Sequence, residues 1–355
     1  MFKDKRILVT GGTGSWGHEL IKQLLEQDPK EISIYSRNEL AQVKMEREFN
    51  DKRLKFIIGD VRDYERMNEA TRGIDYIFHL AALKHVPICE LQPYEAIKTN
   101  IIGTENLIKA AINNKVKKVI DVSTDKAVDA LNLYGMTKAV GERLIIQANL
   151  LSEDTKFVCI RAGNVLGSNG SVVPFFMDQI KNQKQITITH PEMTRYFITL
   201  PEAIGLLFKA SQFSYGGEIF VMRMPSYRIT DVAEVLIEDS KVPDVEIKEI
   251  GMRPGEKLDE VLVSEYEAQS TFKYDDTYYV IMPTMDIPGL KTFYETKNLA
   301  HVTFKRYTSG DVILPKERVK ELLRKGAAPT LPFKSVSKPI TADLPRDVLP
   351  SVSRS

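Results

Sequence analysis

Short apolar runs alternate with longer stretches whose apolar residues recur every three or four positions. Arg6–Thr10 (RILVT), Glu31–Tyr35 (EISIY), Lys55–Gly59, Tyr76–Leu80, Lys118–Val122 and Phe157–Arg161 read as strands. Between them, His18–Gln27, Glu95–Asn113 and a long segment from Tyr134 to about Leu151 carry the helical period. Strictly alternating strands and helices predict an α/β fold, a doubly wound parallel sheet covered on both faces. After Gly167 the pattern changes. Ser168-Asn169-Gly170-Ser171 reads as a turn, Val173–Asn182 as a helix, and Gln185–Thr189 as a strand. Pro201–Gln212 follows as an amphipathic helix and Glu218–Met222 as a late strand. We therefore expect residues 1–167 to form a first domain, with late strands near 197–222 returning to it. Residues 168–196 and 223–325 should form a second, smaller domain. From Gly326 the chain is rich in Pro and Ser without periodicity, which predicts a mobile tail over 326–355.

Composition narrows the class. With 49 basic and 48 acidic residues, bulk charge gives no signal for nucleic acid or a membrane surface. Two cysteines, Cys89 and Cys159, provide neither a disulfide framework nor metal-ligand spacing, so no metal is expected. The start, MFKDKRILVT, lacks the apolar core of a signal peptide, and no apolar run is long enough to span a bilayer. These features predict a soluble cytoplasmic protein.

Two stretches carry candidate chemistry. Gly11-Gly12-Thr13-Gly14-Ser15-Trp16-Gly17 joins the first strand to the first helix. Its glycines at 11, 14 and 17 suit a tight turn that lets backbone approach a pyrophosphate at the helix N-terminus. The second strand ends in Ser36-Arg37-Asn38 rather than in an acid. A hydroxyl and a guanidinium suit a ribose 2′-phosphate, so NADP is expected rather than NAD. Asp60 and Val61 follow the third strand, where the Asp could accept from an adenine amine or cap the next helix. Leu80, Ala81 and Ala82 follow the fourth strand, where small residues let the chain lie close to a ligand.

The second stretch is VSTDKAVDALNLYGMTK, Val122–Lys138. Tyr134 and Lys138 are one helical turn apart and share a face. Ser123, Thr124, Asp125 and Lys126 lie at the carboxyl end of a strand, where open α/β sheets bind ligands. Further on, Lys84, Asn164, Arg195, and the turn carrying Arg253 and Glu256 are candidates for substrate contact.

Tyr-x-x-x-Lys with an upstream Ser-Thr, after T-G-x-x-G-x-x-G, resembles the extended short-chain dehydrogenase/reductases. The segments AALKHVP, KTNIIGTENL, STDKA, NLYGMTK, GNVLGSNGSVVPFF, MTRYFITL and GMRPGEKLDEVL resemble, as a set, the inverting UDP-N-acetylglucosamine 4,6-dehydratases. The resemblance runs from about Phe2 to Val263. It implies an NADP-binding Rossmann domain, a smaller C-terminal sugar-nucleotide-binding domain, a UDP-sugar substrate in the cleft, and a homo-oligomer. It also implies roles. Tyr134 takes the proton of the sugar 4-hydroxyl, assisted by Lys138, and Thr124 hydrogen-bonds that hydroxyl. Lys126 removes the C5 proton once C4 is a ketone, and Asp125 protonates the departing 6-hydroxyl.

Retaining relatives carry Asp-Glu where this chain has Asp125-Lys126, and the lysine goes with inversion at C5. A lysine serves as a base only if its pKa falls well below about 10.4. The chain departs from the family pattern at Ala162, Asn169 and Met136, the first two near the expected sugar. A 4-epimerase on the same scaffold, which needs no Asp125 or Lys126, is the second reading. A non-catalytic NADP-binding regulatory protein is the third.

Overall fold

A computed structural model describes residues 1–167 and 171–327. Six strands, β1 (Arg6–Thr10), β2 (Glu31–Ser36), β3 (Leu54–Ile58), β4 (Tyr76–His79), β5 (Lys118–Thr124) and β6 (Lys156–Ala162), pair in parallel in the order β3-β2-β1-β4-β5-β6. Apart from the edge strand β3, their centres are buried, with Ile7, Val9, Ile32, Phe78, Ile120 and Val158 among the core residues. Each such side chain contributes about 1.5–3 kcal/mol on leaving water. The order reverses between β1 and β4, and a crevice opens there at the carboxyl ends of the strands.

The crossover helices are α1 (Ser15–Leu25), α2 (Glu39–Phe49), α3 (Tyr64–Ala70), α4 (Val86–Leu91), α5 (Pro93–Ile97), α6 (Gly103–Asn113) and α7 (Leu133–Ala148). Helices α3, α6 and α7 pack in sequence, while α1 packs on the helix Leu200–Phe213. The segment expected as one helix over Glu95–Asn113 is composite. A π-helical turn, Lys98–Ile102, joins α5 to α6, and such turns are frequent at functional sites.

Ile219–Met222 adds a seventh parallel strand beside β6, as expected for the late segment. Thr194–Ile198 does not join it. It lies in a small sheet between Asn164–Val165 and Ser226–Arg228. The expectation that 223–325 lies wholly in a second domain also needs correction. Tyr278–Ile281, Thr271–Lys273 and Ala300–His301 extend the large sheet antiparallel, giving ten strands. The physical reason is edge protection: all four residues of Ile219–Met222 are buried, and an open edge there would expose unpaired backbone.

A second apolar cluster unites Phe176, Ile180, Ile188, Phe197, Val232 and Val319, and forms the smaller subdomain. The last described helix, Lys316–Ala327, runs past Gly326, so the expected tail does not begin there. The rest of that tail, and Ser168-Asn169-Gly170, lie outside the described residues. Among the described residues, no helix is long and apolar enough to cross a membrane, and no acidic, His or Cys cluster could hold a metal.

Candidate active site

The crevice at the sheet reversal opens into a cleft of about 1020 Å³. Gly11, Thr13, Gly14, Ser15 and Trp16 line one end, with Ser36, Arg37, Asp60, Val61, Leu80, Ala81 and Ala82. Gly17 does not line it. Gly11 has φ +68°, and a Cβ there would sit 2.8 Å from the Ala81 nitrogen, so only glycine fits this approach of two loops. The N-terminus of α1 has no side-chain cap hydrogen bond and no acid in its first turn, so the positive end of its dipole favours an anion. These features fit a dinucleotide pyrophosphate.

At the ribose end Arg37 is 55% exposed, and its guanidinium lies 3.8 Å from Asp60. Asp60 does not cap the next helix. It accepts from the Arg62 backbone and guanidinium, and the cap of α3 is Asp63. The Ser36 hydroxyl accepts from Gln42 Nε2 at 2.9 Å, which fixes its place beside Arg37.

Asn132 caps α7 by accepting from the Gly135 N–H at 2.9 Å, and its amide donates to the Gly255 carbonyl at 3.0 Å. One residue thus sets Tyr134 near the start of α7 and ties it to the 253–257 turn. Tyr134 and Lys138 both line the cleft. The Lys138 ammonium lies 3.2 Å from buried Asp121 on β5. Burial works against its charge, but Asp121 and Tyr134 outweigh that and hold its pKa above the ordinary lysine value. Burial raises the Tyr134 phenol, and Lys138 and a hydrogen bond with Thr124 only partly offset it. The expected aid from Lys138 is therefore present but smaller than the burial effect.

Thr124, Asp125 and Lys126 follow in a tight turn. The Thr124 hydroxyl donates to Asp125 at 3.3 Å, and the Lys126 ammonium donates to the same oxygen at 2.9 Å. On its other side Lys126 lies 3.1 Å from Glu260. Lys126 and Glu260 line the cleft, whereas Asp125 is buried behind Lys126 and does not. The Lys126 pKa does not fall as a free base would need. Burial pushes it down, but Asp125 and Glu260 more than reverse that and raise it. Burial, with Glu260 nearby, raises Asp125 above the ordinary carboxyl range.

Ser123 is turned away from the cluster: its hydroxyl donates to buried Glu142 at 2.6 Å. Glu142 in turn pairs with Arg161 at 2.7 Å, and Arg161 reaches Glu267 at 3.0 Å. This buried network fastens α7 to β6 and to the C-terminal part of the chain. Among the candidate substrate residues, Lys84, Asn164, Arg195, Arg253 and Glu256 all line the cleft. Arg195 is not free to swing, because its guanidinium donates to the carbonyls of Thr194, Lys257 and Leu258. Glu256 accepts from the Arg253 backbone at 3.1 Å and shapes the turn that presents Arg253.

Sequence reasoning missed Asp121, Glu142, Asn132 and Glu260. Asp121 sits inside an apolar strand, and a charge in a buried run was the available signal. Glu260 had no local signal, since its partner is far away in sequence. Asn100 sits in the π-helical turn. Its side chain accepts from the Leu83 N–H at 2.8 Å and donates to Thr137 at 3.0 Å, holding the 80–84 loop against α7.

Comparison with known proteins agrees with this geometry. Residues 7–282 match the family described as polysaccharide biosynthesis protein. The chain is 45% identical to a UDP-glucose 4-epimerase of Rickettsia massiliae, over 91% of this chain and 96% of that protein. It is 45% identical to an inverting UDP-N-acetylglucosamine 4,6-dehydratase of Campylobacter jejuni, over 80% of this chain and 85% of that one. Among solved structures, Pen from Bacillus thuringiensis superposes with a TM-score of 0.84 at 39% identity, covering 91% of this chain and 99% of its own. The chain thus belongs to the polysaccharide biosynthesis protein family, a Rossmann-type group of NAD(P)-dependent sugar-nucleotide enzymes related to both epimerases and dehydratases.

Proposed function

We propose that this chain is a C5-inverting 4,6-dehydratase of UDP-N-acetylglucosamine. The observation that carries the reading is Lys126, held between Asp125 and Glu260 on the wall of the cleft that Tyr134 also lines. A bound nicotinamide dinucleotide supplies acceptance of hydride at C4 and its return to C6. The chain's own residues move the protons. Tyr134 takes the 4-hydroxyl proton, and Thr124 orients that hydroxyl. The resulting ketone acidifies C5–H, Lys126 removes that proton, and Asp125 furnishes the proton that leaves with the 6-hydroxyl. Arg37 supports NADP as the dinucleotide, because its exposed fork can grip a 2′-phosphate. Arg253 and Lys84 offer positive charge to the diphosphate of a UDP-sugar.

A UDP-sugar 4-epimerase is the second reading, and the relatives favour it. Those matched over 91% of this chain in Rickettsia species are named UDP-glucose 4-epimerases. Such an enzyme needs Tyr134 and Lys138 but gives Lys126 and Glu260 nothing to do. Mass spectrometry of the product separates the readings. A product lighter by one water supports dehydration, and a product of unchanged mass with altered C4 configuration supports epimerisation.

A further inference from the structure

The raised pKa of Lys126 poses a problem for the dehydratase reading on which this section rests. An ammonium has no lone pair with which to take a proton from carbon. The structure supplies a nearby acceptor that the sequence pattern did not reveal. Glu260 is 3% exposed, lines the cleft, and lies 3.1 Å from the Lys126 ammonium through Oε1, while its Oε2 has no hydrogen-bond partner. We propose that Glu260 is the proton acceptor that makes Lys126 a base, and the end of a hydrogen-bonded relay running Tyr134, Thr124, Asp125, Lys126, Glu260.

The relay runs through neighbouring side chains. Thr124 lies beside the Tyr134 phenol and favours its ionised form. The Thr124 hydroxyl reaches Asp125 Oδ1 at 3.3 Å, and Lys126 Nζ reaches the same oxygen at 2.9 Å. The fold puts a lysine at position 126 and brings a carboxylate to the cleft wall from residue 260.

The elimination balances within this cluster. Before elimination we assign a proton to Asp125, an ammonium to Lys126 and a carboxylate to Glu260. Lys126 gives one proton to Glu260 and becomes a neutral amine. The amine takes the C5 proton, the C5–H electron pair forms the C5–C6 double bond, and the C6–O bond breaks with its electrons on oxygen. The departing hydroxide takes a proton from the Lys126 ammonium, which Asp125 refills across their 2.9 Å contact, and leaves as water. Glu260 then returns its proton through Lys126 to Asp125, so the cluster ends with as many protons as it began. When C5 is later protonated from Lys126, the proton that Tyr134 took from the 4-hydroxyl refills the cluster through Thr124 and Asp125. The other charged groups facing these three side chains are Arg195, which lies 3.5 Å from Glu260, and Lys257, which also faces Glu260. Both favour the Glu260 carboxylate at rest.

The test is Glu260→Gln, with UDP-N-acetylglucosamine as substrate and formation of the C6 methyl product followed by proton NMR from pH 7 to 9. The relay predicts a rate about 100-fold below that of the unsubstituted protein at pH 7. It also predicts a rate climbing about tenfold per pH unit, because Lys126 must then lose its proton to water. Glu260→Asp keeps a carboxylate and should restore a rate flat in pH. An unchanged or faster rate in Glu260→Gln would mean that Glu260 merely keeps Lys126 charged, and would overturn the relay alone. A pH-climbing rate in Glu260→Asp would overturn it too. No methyl product from the unsubstituted protein would overturn the dehydratase reading and the relay with it.

Discussion

Lys138 is buried and Lys126 half-buried, each against carboxylates, yet they belong to differently built regions. Lys138 has one partner, Asp121, and both stand on neighbouring elements of the first domain, β5 and α7. Lys126 has two, Asp125 beside it and Glu260 from far along the chain, with Arg195 behind. The first region is complete within the dinucleotide-binding frame. The second exists only when the C-terminal part of the chain closes onto that frame. Chemistry at C4 therefore rests on local geometry, whereas any chemistry at C5 and C6 depends on contacts between the two parts. The same frame is shared by relatives named as epimerases and as dehydratases, and under the reading proposed above the second lysine's surroundings add the water loss.

The largest effect should come from breaking the first region. Tyr134→Phe removes the group proposed to take the 4-hydroxyl proton, and turnover of a UDP-sugar should fall by about 10³–10⁴-fold under either reading. Activity within tenfold of the unsubstituted protein would remove Tyr134 from the chemistry.

Breaking the second region should be selective. Lys126→Ala should lower formation of the dehydrated product by about 10³-fold, while dinucleotide affinity measured by fluorescence titration changes less than about twofold. Full dehydration in that variant would contradict the role of Lys126.

A pH effect on stability belongs to the first region. His79 is buried at the end of β4, between Thr10 at 2.7 Å and Thr104 at 3.2 Å. Burial holds its pKa down to about 4, with Asp121 opposing and Lys138 reinforcing, against about 6.5 in an unfolded chain. Below pH 6.5 the unfolded chain binds a proton that the folded one refuses. The contribution of His79 is thus fully present above pH 6.5 and is lost as pH falls through about 4. It amounts to about 3 kcal/mol at most. Urea unfolding between pH 7 and 4 should show this slope, and His79→Gln should flatten it. An equal slope in the variant would contradict the assignment.

The smallest effect concerns the cofactor end. Arg37→Ala should weaken NADP binding by about 10–100-fold, as expected for loss of charged hydrogen bonds, and NAD binding by less than about twofold. Equal losses for the two would count against the 2′-phosphate contact.

The first region was largely legible in the sequence because its signals are local. The strand Arg6–Thr10, the glycine turn, and the shared helical face of Tyr134 and Lys138 all follow from short spacings. The second region was legible only in part. Asp125 and Lys126 were visible as neighbours, but the burial of Asp125 and the arrival of Glu260 are products of tertiary folding. The edge strands between 271 and 301 were missed for a similar reason: short strands without clear periodicity take their role from the neighbour they cover. Arg161 looked like the end of a strand. Its pairing with Glu142 and Glu267 is visible only once three distant segments meet.

The central claim is that the Lys126 cluster adds water loss to the C4 chemistry of a shared frame. Proton NMR of the purified protein with UDP-N-acetylglucosamine in deuterated water tests it most directly. The account predicts a new C6 methyl signal, with deuterium at C5 and inverted configuration there. A galacto-configured product that keeps its C6 hydroxyl and its C5 hydrogen would contradict it, and would make the chain a 4-epimerase.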